Sequence, residues 1–251
     1  MLYRGAPATL AAAVARQGEG GPVVKRSTWG LWDVLITFVL WFVLAVIGSF
    51  FVLATEQSGT VAKGLGMIVA TVLPWAALIG WPTLMTRIRG NGPIVDLGLR
   101  WRWSDIGWGL LWGIAGLVVA LLLALATEAV FGDFSSAAGD VAESLADNKW
   151  IFAIFLLTVV IGAPIVEEFF FRGYVFAAFA KKGWLPILSV VMSAAIFAAW
   201  HLEPVRIFVL LGIGITLGLA RWLTASLTTS IVAHMTNNLV SSITLLGLLF
   251  N

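Results

Sequence analysis

Seven apolar runs divide the chain, each bounded by a short polar connection. They extend approximately over Leu31 to Ala54, Leu65 to Thr86, Ile106 to Phe131, Trp150 to Ala180, Trp184 to His201, Val205 to Trp222 and Thr224 to Phe250. Several reach the roughly 20 residues that a helix needs to cross a bilayer core about 30 Å thick. The pattern predicts an all-α polytopic transmembrane bundle of about seven spans, with no soluble domain large enough to work alone. Residues 1–28 mix Gly, Pro and charge, and their apolar stretch from Leu10 to Val14 is too short for a signal-peptide core. That segment reads as a cytoplasmic tail, partly disordered. Residues 29–149 then carry three N-terminal spans and their loops, and residues 150–251 the remaining spans.

Composition supports lipid as the main solvent. Of 251 residues, 60% are hydrophobic and 11% charged, against about 25% charged in an ordinary soluble domain. The absence of cysteine excludes disulfides, thiolate nucleophiles and cysteine-type zinc sites. A net charge of +2, without basic runs, argues against nucleic acid as a partner.

The positive charges instead read as topology signals, since lysine and arginine stay on the cytoplasmic side. One side of the predicted bundle holds Arg4, Arg16, Lys25, Arg26, Arg87, Arg89, Arg100, Arg102, Lys181, Lys182 and Arg221. On the other side, Lys63, Lys149 and Arg206 stand among Glu56, Asp133, Asp140, Glu143, Asp147 and Glu203. This places the N-terminus in the cytoplasm and the C-terminus on the opposite face of a cell membrane. Trp29, Trp32, Trp101, Trp103, Trp150, Trp184 and Trp222 fall near span ends, where interfacial tryptophans sit.

The fourth run would measure about 46 Å as a continuous helix, longer than the bilayer core. It must tilt, break or emerge. Gly162-Ala163-Pro164 offers a place for a break, because proline removes a backbone hydrogen bond and crowds the preceding turn.

Ionisable side chains inside a span cost at least about 2.5–3.5 kcal/mol each, so they mark function by default. The fourth run carries Glu167, Glu168 and Arg172, the fifth ends at His201, and the seventh carries His234, Asn237 and Asn238. Glu168 and Arg172 are four apart and share a helix face, as do His234 and Asn238. At 1.5 Å per residue, Glu167 lies about 21 Å from Lys181, His201 about 26 Å from Trp184 and His234 about 20 Å from Arg221. Three helices thus bring polar groups to similar depth, where they can converge on one buried, partly hydrated pocket. A carboxylate beside a histidine takes a proton from water, and a second histidine with an asparagine donates to a developing oxyanion. That set describes water attack on an amide carbonyl, with no serine or cysteine nucleophile.

Glu167-Glu168-Phe169-Phe170-Phe171-Arg172-Gly173 matches EExxFRG, Phe197 to His201 matches FxxxH, and His234 to Asn238 matches HxxxN. Three such motifs in this order on successive spans resemble the CPBP (Abi) family, which includes type II CAAX prenyl endopeptidases and bacteriocin-processing proteases. The resemblance covers roughly Trp150 to Phe250 and marks this part as a catalytic core. It implies an intramembrane endopeptidase in which Glu167 acts with His201 on the attacking water, His234 with Asn238 stabilises the oxyanion, and Arg172 orients Glu168. The ranking of Glu167 over Glu168 as base comes from the family. The reading is for no cofactor and no bound metal, although two histidines and two glutamates are donors that a divalent ion accepts. Members are often described with eight spans, whereas seven are legible here.

The implied substrate is a peptide or protein, lipidated in one branch of the family and a bacteriocin-like or exported peptide in another. The alternative is a non-catalytic membrane immunity or scaffold protein on the same fold, since fold does not fix function; a proton-relaying transporter is a weaker third reading. Singly, Glu168 and Arg172 read as a structural ion pair, His201 as an interfacial residue beside Glu203 and Pro204, and His234 and Asn238 as packing contacts. Their joint occurrence favours a shared site. Phe169, Phe170 and Phe171 read as packing on a lipid-facing helix, and the Gly214 and Gly218 pair has GxxxG spacing suited to close helix contact or a dimer.

Overall fold

The computed structural model describes residues 26–99 and 101–246. The predicted tail up to residue 25 and the end of the seventh run beyond residue 246 lie outside the described residues. Over its described residues every predicted span is helical, and among those residues there is no β-strand. Helix α1 is Leu31–Thr55. The second span is two helices, α2 (Thr60–Val72) and α3 (Trp75–Arg89), separated at Pro74, which has no N–H to continue the ladder. A short α4 (Pro93–Asp96) precedes α5 (Trp103–Phe131), and α6 (Ala137–Leu145) precedes the long α7 (Lys149–Lys181). The chain closes with α8 (Pro186–Trp200), α9 (Ile207–Thr224) and α10 (Leu227–Leu246).

Among the described residues, five segments are long and apolar enough to cross a membrane: α1, α2 with α3, α5, α7 and α9. Helix α8 is apolar but has only 15 residues, about 22 Å. It therefore ends inside the depth that its longer neighbours traverse, and His201 sits at that end. Helices α1 and α5 turn large apolar side chains outward, among them Phe42, Phe50, Leu111 and Leu121. An apolar exterior of this kind suits lipid.

Helix α7 is the central post. Its second half is buried all round, with Phe170, Phe171, Tyr174 and Val175 sealed from solvent, as expected for a helix apolar on every face. The Phe169 to Phe171 run thus packs inside the protein, and the expectation that it faces lipid is corrected. The predicted break at Pro164 does not occur. The helix widens into π-helical turns over Thr158–Gly162 and again over Glu168–Val175, and the wider turn accommodates the proline ring.

Small residues set the helix spacing around this post. Gly109, Gly113 and Gly116 of α5 let α10 approach until an added Cβ would meet Val232, Thr236 and Asn237. In α9, Gly214 lies against Ala194 and Gly218 against Val190 of α8. The GxxxG pair is therefore used within the chain, and its contact is not a dimer face.

Several charged and aromatic residues placed at the cytoplasmic ends are structural. Trp29 is 1% exposed: it stacks on Tyr174 at 4.5 Å and donates Nε1–H to buried Asp96 at 2.6 Å. It is a core residue, which corrects its reading as an interfacial tryptophan. Lys181 lies over the same indole and donates to the Trp29 carbonyl, and Arg89 pairs with Asp33. Thr28 N–H donates to the Arg89 carbonyl, so the bundle already includes the last residues of the predicted tail. Arg221 is fully buried and donates Nη2–H to the Leu97 carbonyl at 2.9 Å, and is not the loop charge its topology reading supposed.

Candidate active site

The site forms where α7, α8 and α10 meet. Glu168 is its most constrained member, with a fully buried side chain. Its Oε1 accepts from Arg172 Nη1 at 2.7 Å and lies 2.9 Å from His234 Nδ1. Its Oε2 accepts from the Ser230 hydroxyl. Arg172 is held in turn by the Gly214 carbonyl at 3.0 Å and by the Phe197 ring, whose centroid lies 4.3 Å from the guanidinium carbon. The buried carboxylate and the buried guanidinium are thus paired charge against charge, with only the Arg172 Nε–H left without an acceptor among the described residues.

Glu167 differs from its neighbour in surroundings. Its side chain is 16% exposed, and its Oε2 stands 3.9 Å from His234 Nε2. At that distance no direct hydrogen bond joins them. The two adjacent glutamates thereby separate in kind: Glu168 is saturated with donors, and Glu167 has acceptor capacity left.

His201 terminates α8. Its Nδ1 is 2.8 Å from the Phe197 carbonyl, an acceptor released because the His201 backbone N–H turns to Ala198 instead. The ring packs edge-on against Phe197 at 4.6 Å, and His234 packs on the same phenyl ring at 5.9 Å. Phe197 therefore separates and orients the two imidazoles and also covers Arg172. Among the described residues, no hydrogen bond or ion pair joins His201 to Glu167.

Asn238 donates Nδ2–H to the Val159 carbonyl at 2.9 Å, and the register of α7 explains why that carbonyl is free. The N–H of Ala163, its ordinary α-helical donor, bonds Thr158 in the π-helical turn. The next donor in π register would come from residue 164, which is proline and has none. Asn238 thus serves a carbonyl that Pro164 leaves unpaired. One of its two amide protons is used in this way. Asn237 faces α5, donating to the Gly113 carbonyl at 3.0 Å, and stands apart from the carboxylates.

The structure thus gathers Glu167, Glu168, Arg172 and His234 directly, links His201 through Phe197, and ties Asn238 to the π-helical turn. Sequence reasoning missed Ser230 and the part played by Phe197. Ser230, His234 and Asn238 recur every four residues on α10, and that row was the available signal for Ser230. Among the described residues, no three His, Asp or Glu side chains are arranged to hold a metal ion.

Residues 149–240 match the family described as Rce1-like, type II CAAX prenyl endopeptidase. The match spans α7 to α9 and most of α10, and so includes every motif residue. It is consistent with the CPBP family read from the three motifs, and the matched family is one of proteases. No curated protein and no solved structure matches the chain.

Proposed function

We propose that this protein is an intramembrane endopeptidase that hydrolyses a peptide bond with water activated by Glu167. The observation that carries the proposal is the contrast within the glutamate pair. Glu168 is sealed and saturated, whereas Glu167 Oε2 faces an imidazole nitrogen across 3.9 Å within the bundle. In the proposed reaction Glu167 takes a proton from water as its oxygen bonds to the carbonyl carbon. The carbonyl electron pair moves to oxygen, where N–H donors such as Asn238 meet it. The proton on Glu167 then passes to the leaving nitrogen as the C–N bond breaks. His201 and His234 are the imidazoles that bound this space.

The family match favours a CAAX-type substrate, a prenylated C-terminal peptide, over a bacteriocin-like or exported peptide. The test is cleavage by purified protein in liposomes of matched peptides with and without the prenyl group, for wild type, Glu167→Ala and His201→Ala, with and without a strong chelator. The proposal expects cleavage of the prenylated peptide that both variants lose and the chelator spares. Loss with chelator points to a metalloenzyme. Failure of wild type on a broad panel supports the non-catalytic binding protein instead.

A further inference from the structure

The two ends of the bundle differ in the sign of the charge they expose. Helices α1, α5, α8 and α10 begin at one end, where α3, α7 and α9 finish. Several bonds tie that end together: Thr28 N–H donates to the Arg89 carbonyl, Lys181 to the Trp29 carbonyl, Arg221 to the Leu97 carbonyl and Leu227 N–H to the Gly98 carbonyl. Its described carboxylates all turn inward. Asp33, third in α1, accepts from the Gly30 N–H at 2.8 Å and pairs with Arg89. Asp105, third in α5, accepts from the Arg102 N–H at 2.9 Å and from the Thr229 hydroxyl at 3.1 Å. Asp96 accepts from the Trp29 indole at 2.6 Å and the Asn91 side-chain amide at 3.1 Å. None of the three is more than 3% exposed. The first turn of a helix favours a carboxylate, and packing by neighbouring elements then removes that charge from the surface.

The cations at this end are arranged the other way. Arg87, Arg102 and Lys182 are exposed, and among the described residues none of them forms an ion pair. Exposed indoles share the same end, Trp32 and Trp103 at 79% and Trp101 at 60%. Trp101 and Trp103 flank Arg102 in the chain, and their rings meet edge to face at 5.7 Å. The opposite end reverses the balance: Glu56, Glu128, Asp133, Asp140, Glu143 and Asp147 are exposed there, against Lys63 and Lys149.

A tryptophan beside an exposed cation fits the two layers of a bilayer interface. The indole sits at headgroup level, and the cation is drawn to the negative surface of an anionic leaflet. We propose that this end of the bundle is a docking surface for anionic phospholipid headgroups, with Arg87, Arg102 and Lys182 meeting the phosphates and Trp32, Trp101 and Trp103 anchoring the surface at the interface. It sets this end against the more anionic leaflet. The surface does not depend on the endopeptidase reading and is tested without cleavage.

The experiment follows thermal unfolding of purified full-length protein in dodecyl maltoside micelles doped with dioleoylphosphatidylglycerol or dioleoylphosphatidylcholine, and reads the lipid mole fraction that gives half of the maximal stabilisation. Phosphatidylglycerol is expected to act at a mole fraction lower than phosphatidylcholine by about tenfold or more, and about 0.5 M salt to erase most of that difference. The combined variant Arg87→Gln, Arg102→Gln and Lys182→Gln should respond alike to both lipids, because each basic residue near an anionic surface contributes roughly fivefold. Lys63→Gln with Lys149→Gln, at the opposite end, should keep the preference. Equal action of the two lipids on wild type overturns the proposal, as does a preference that survives in the triple variant or is lost in the Lys63, Lys149 variant. Soluble glycerol phosphate or an acidic peptide that stabilises the protein as well as phosphatidylglycerol, at matched ionic strength, also overturns it by assigning the surface to a free phosphate or to a protein partner.

Discussion

Replacing Arg172 with methionine removes the guanidinium that pairs with the buried Glu168 and leaves its carboxylate without an arginine partner. Three contacts are lost: the 2.7 Å ion pair, the 3.0 Å bond to the Gly214 carbonyl and the cation over Phe197 at 4.3 Å. Breaking one side of a buried pair costs about 3–5 kcal/mol, most of it from the stranded charge. The bond to Gly214 and the aromatic contact each contribute about 1–2 kcal/mol on their own, but they overlap with that figure because one side chain makes all three. The expected loss is about 4 kcal/mol in unfolding free energy, measured by denaturant titration in mixed micelles. Adding Glu168→Gln removes the stranded charge and should return more than half of it. Arg206→Ala is the control, since its partner Glu203 lies at the tip between α8 and α9, and a loss below about 1 kcal/mol is expected there. Polar couplings between membrane helices average only about 0.6 kcal/mol when the unfolded chain finds other partners. A loss below about 1 kcal/mol for Arg172→Met, or no recovery in the double variant, would refute the reasoning.

Asn238→Ala should destabilise the protein by about 1–3 kcal/mol by orphaning the Val159 carbonyl, and Pro164→Ala in that background should recover part of the loss by supplying a backbone N–H; denaturant titration of the pair reads both. Gly214→Ala places a Cβ 3.0 Å from the Ala194 Cβ and 3.1 Å from its Cα, and should cost about 1–3 kcal/mol, whereas Gly107→Ala enters open space and should be neutral. Trp29→Phe keeps the stack on Tyr174 but removes a donor to buried Asp96, so thermal unfolding should show a loss of about 1–2 kcal/mol.

Much of this architecture was legible in the sequence because lipid makes polarity informative. The seven apolar runs fall on helices, the second of them divided at Pro74, and the few ionisable residues within them pointed to α7, α8 and α10. The four-residue spacings also carried through, since Glu168 does pair with Arg172 and His234 shares its face with Asn238. What escaped detection depends on long-range contact. Trp29 looked like a membrane-interface residue until Asp96, 67 positions away, was seen to accept its N–H. Arg221 looked like a loop charge until the Leu97 carbonyl appeared beside it. Ser230 raised no alarm because a hydroxyl is cheap inside a helix, where it can bond the preceding turn. The link from Pro164 to Asn238 needed the hydrogen-bond register of α7, which no spacing rule supplies.

The most direct test of the central claim is the cleavage rate of a prenylated C-terminal peptide by Glu167→Gln protein in liposomes, with its unfolding measured alongside. Glutamine keeps the shape of Glu167 but cannot take a proton from water. The account predicts a rate about 10²–10⁴-fold below wild type with unfolding unchanged, because Glu167, unlike Glu168, anchors no ion pair with arginine. A rate within tenfold of wild type would contradict it.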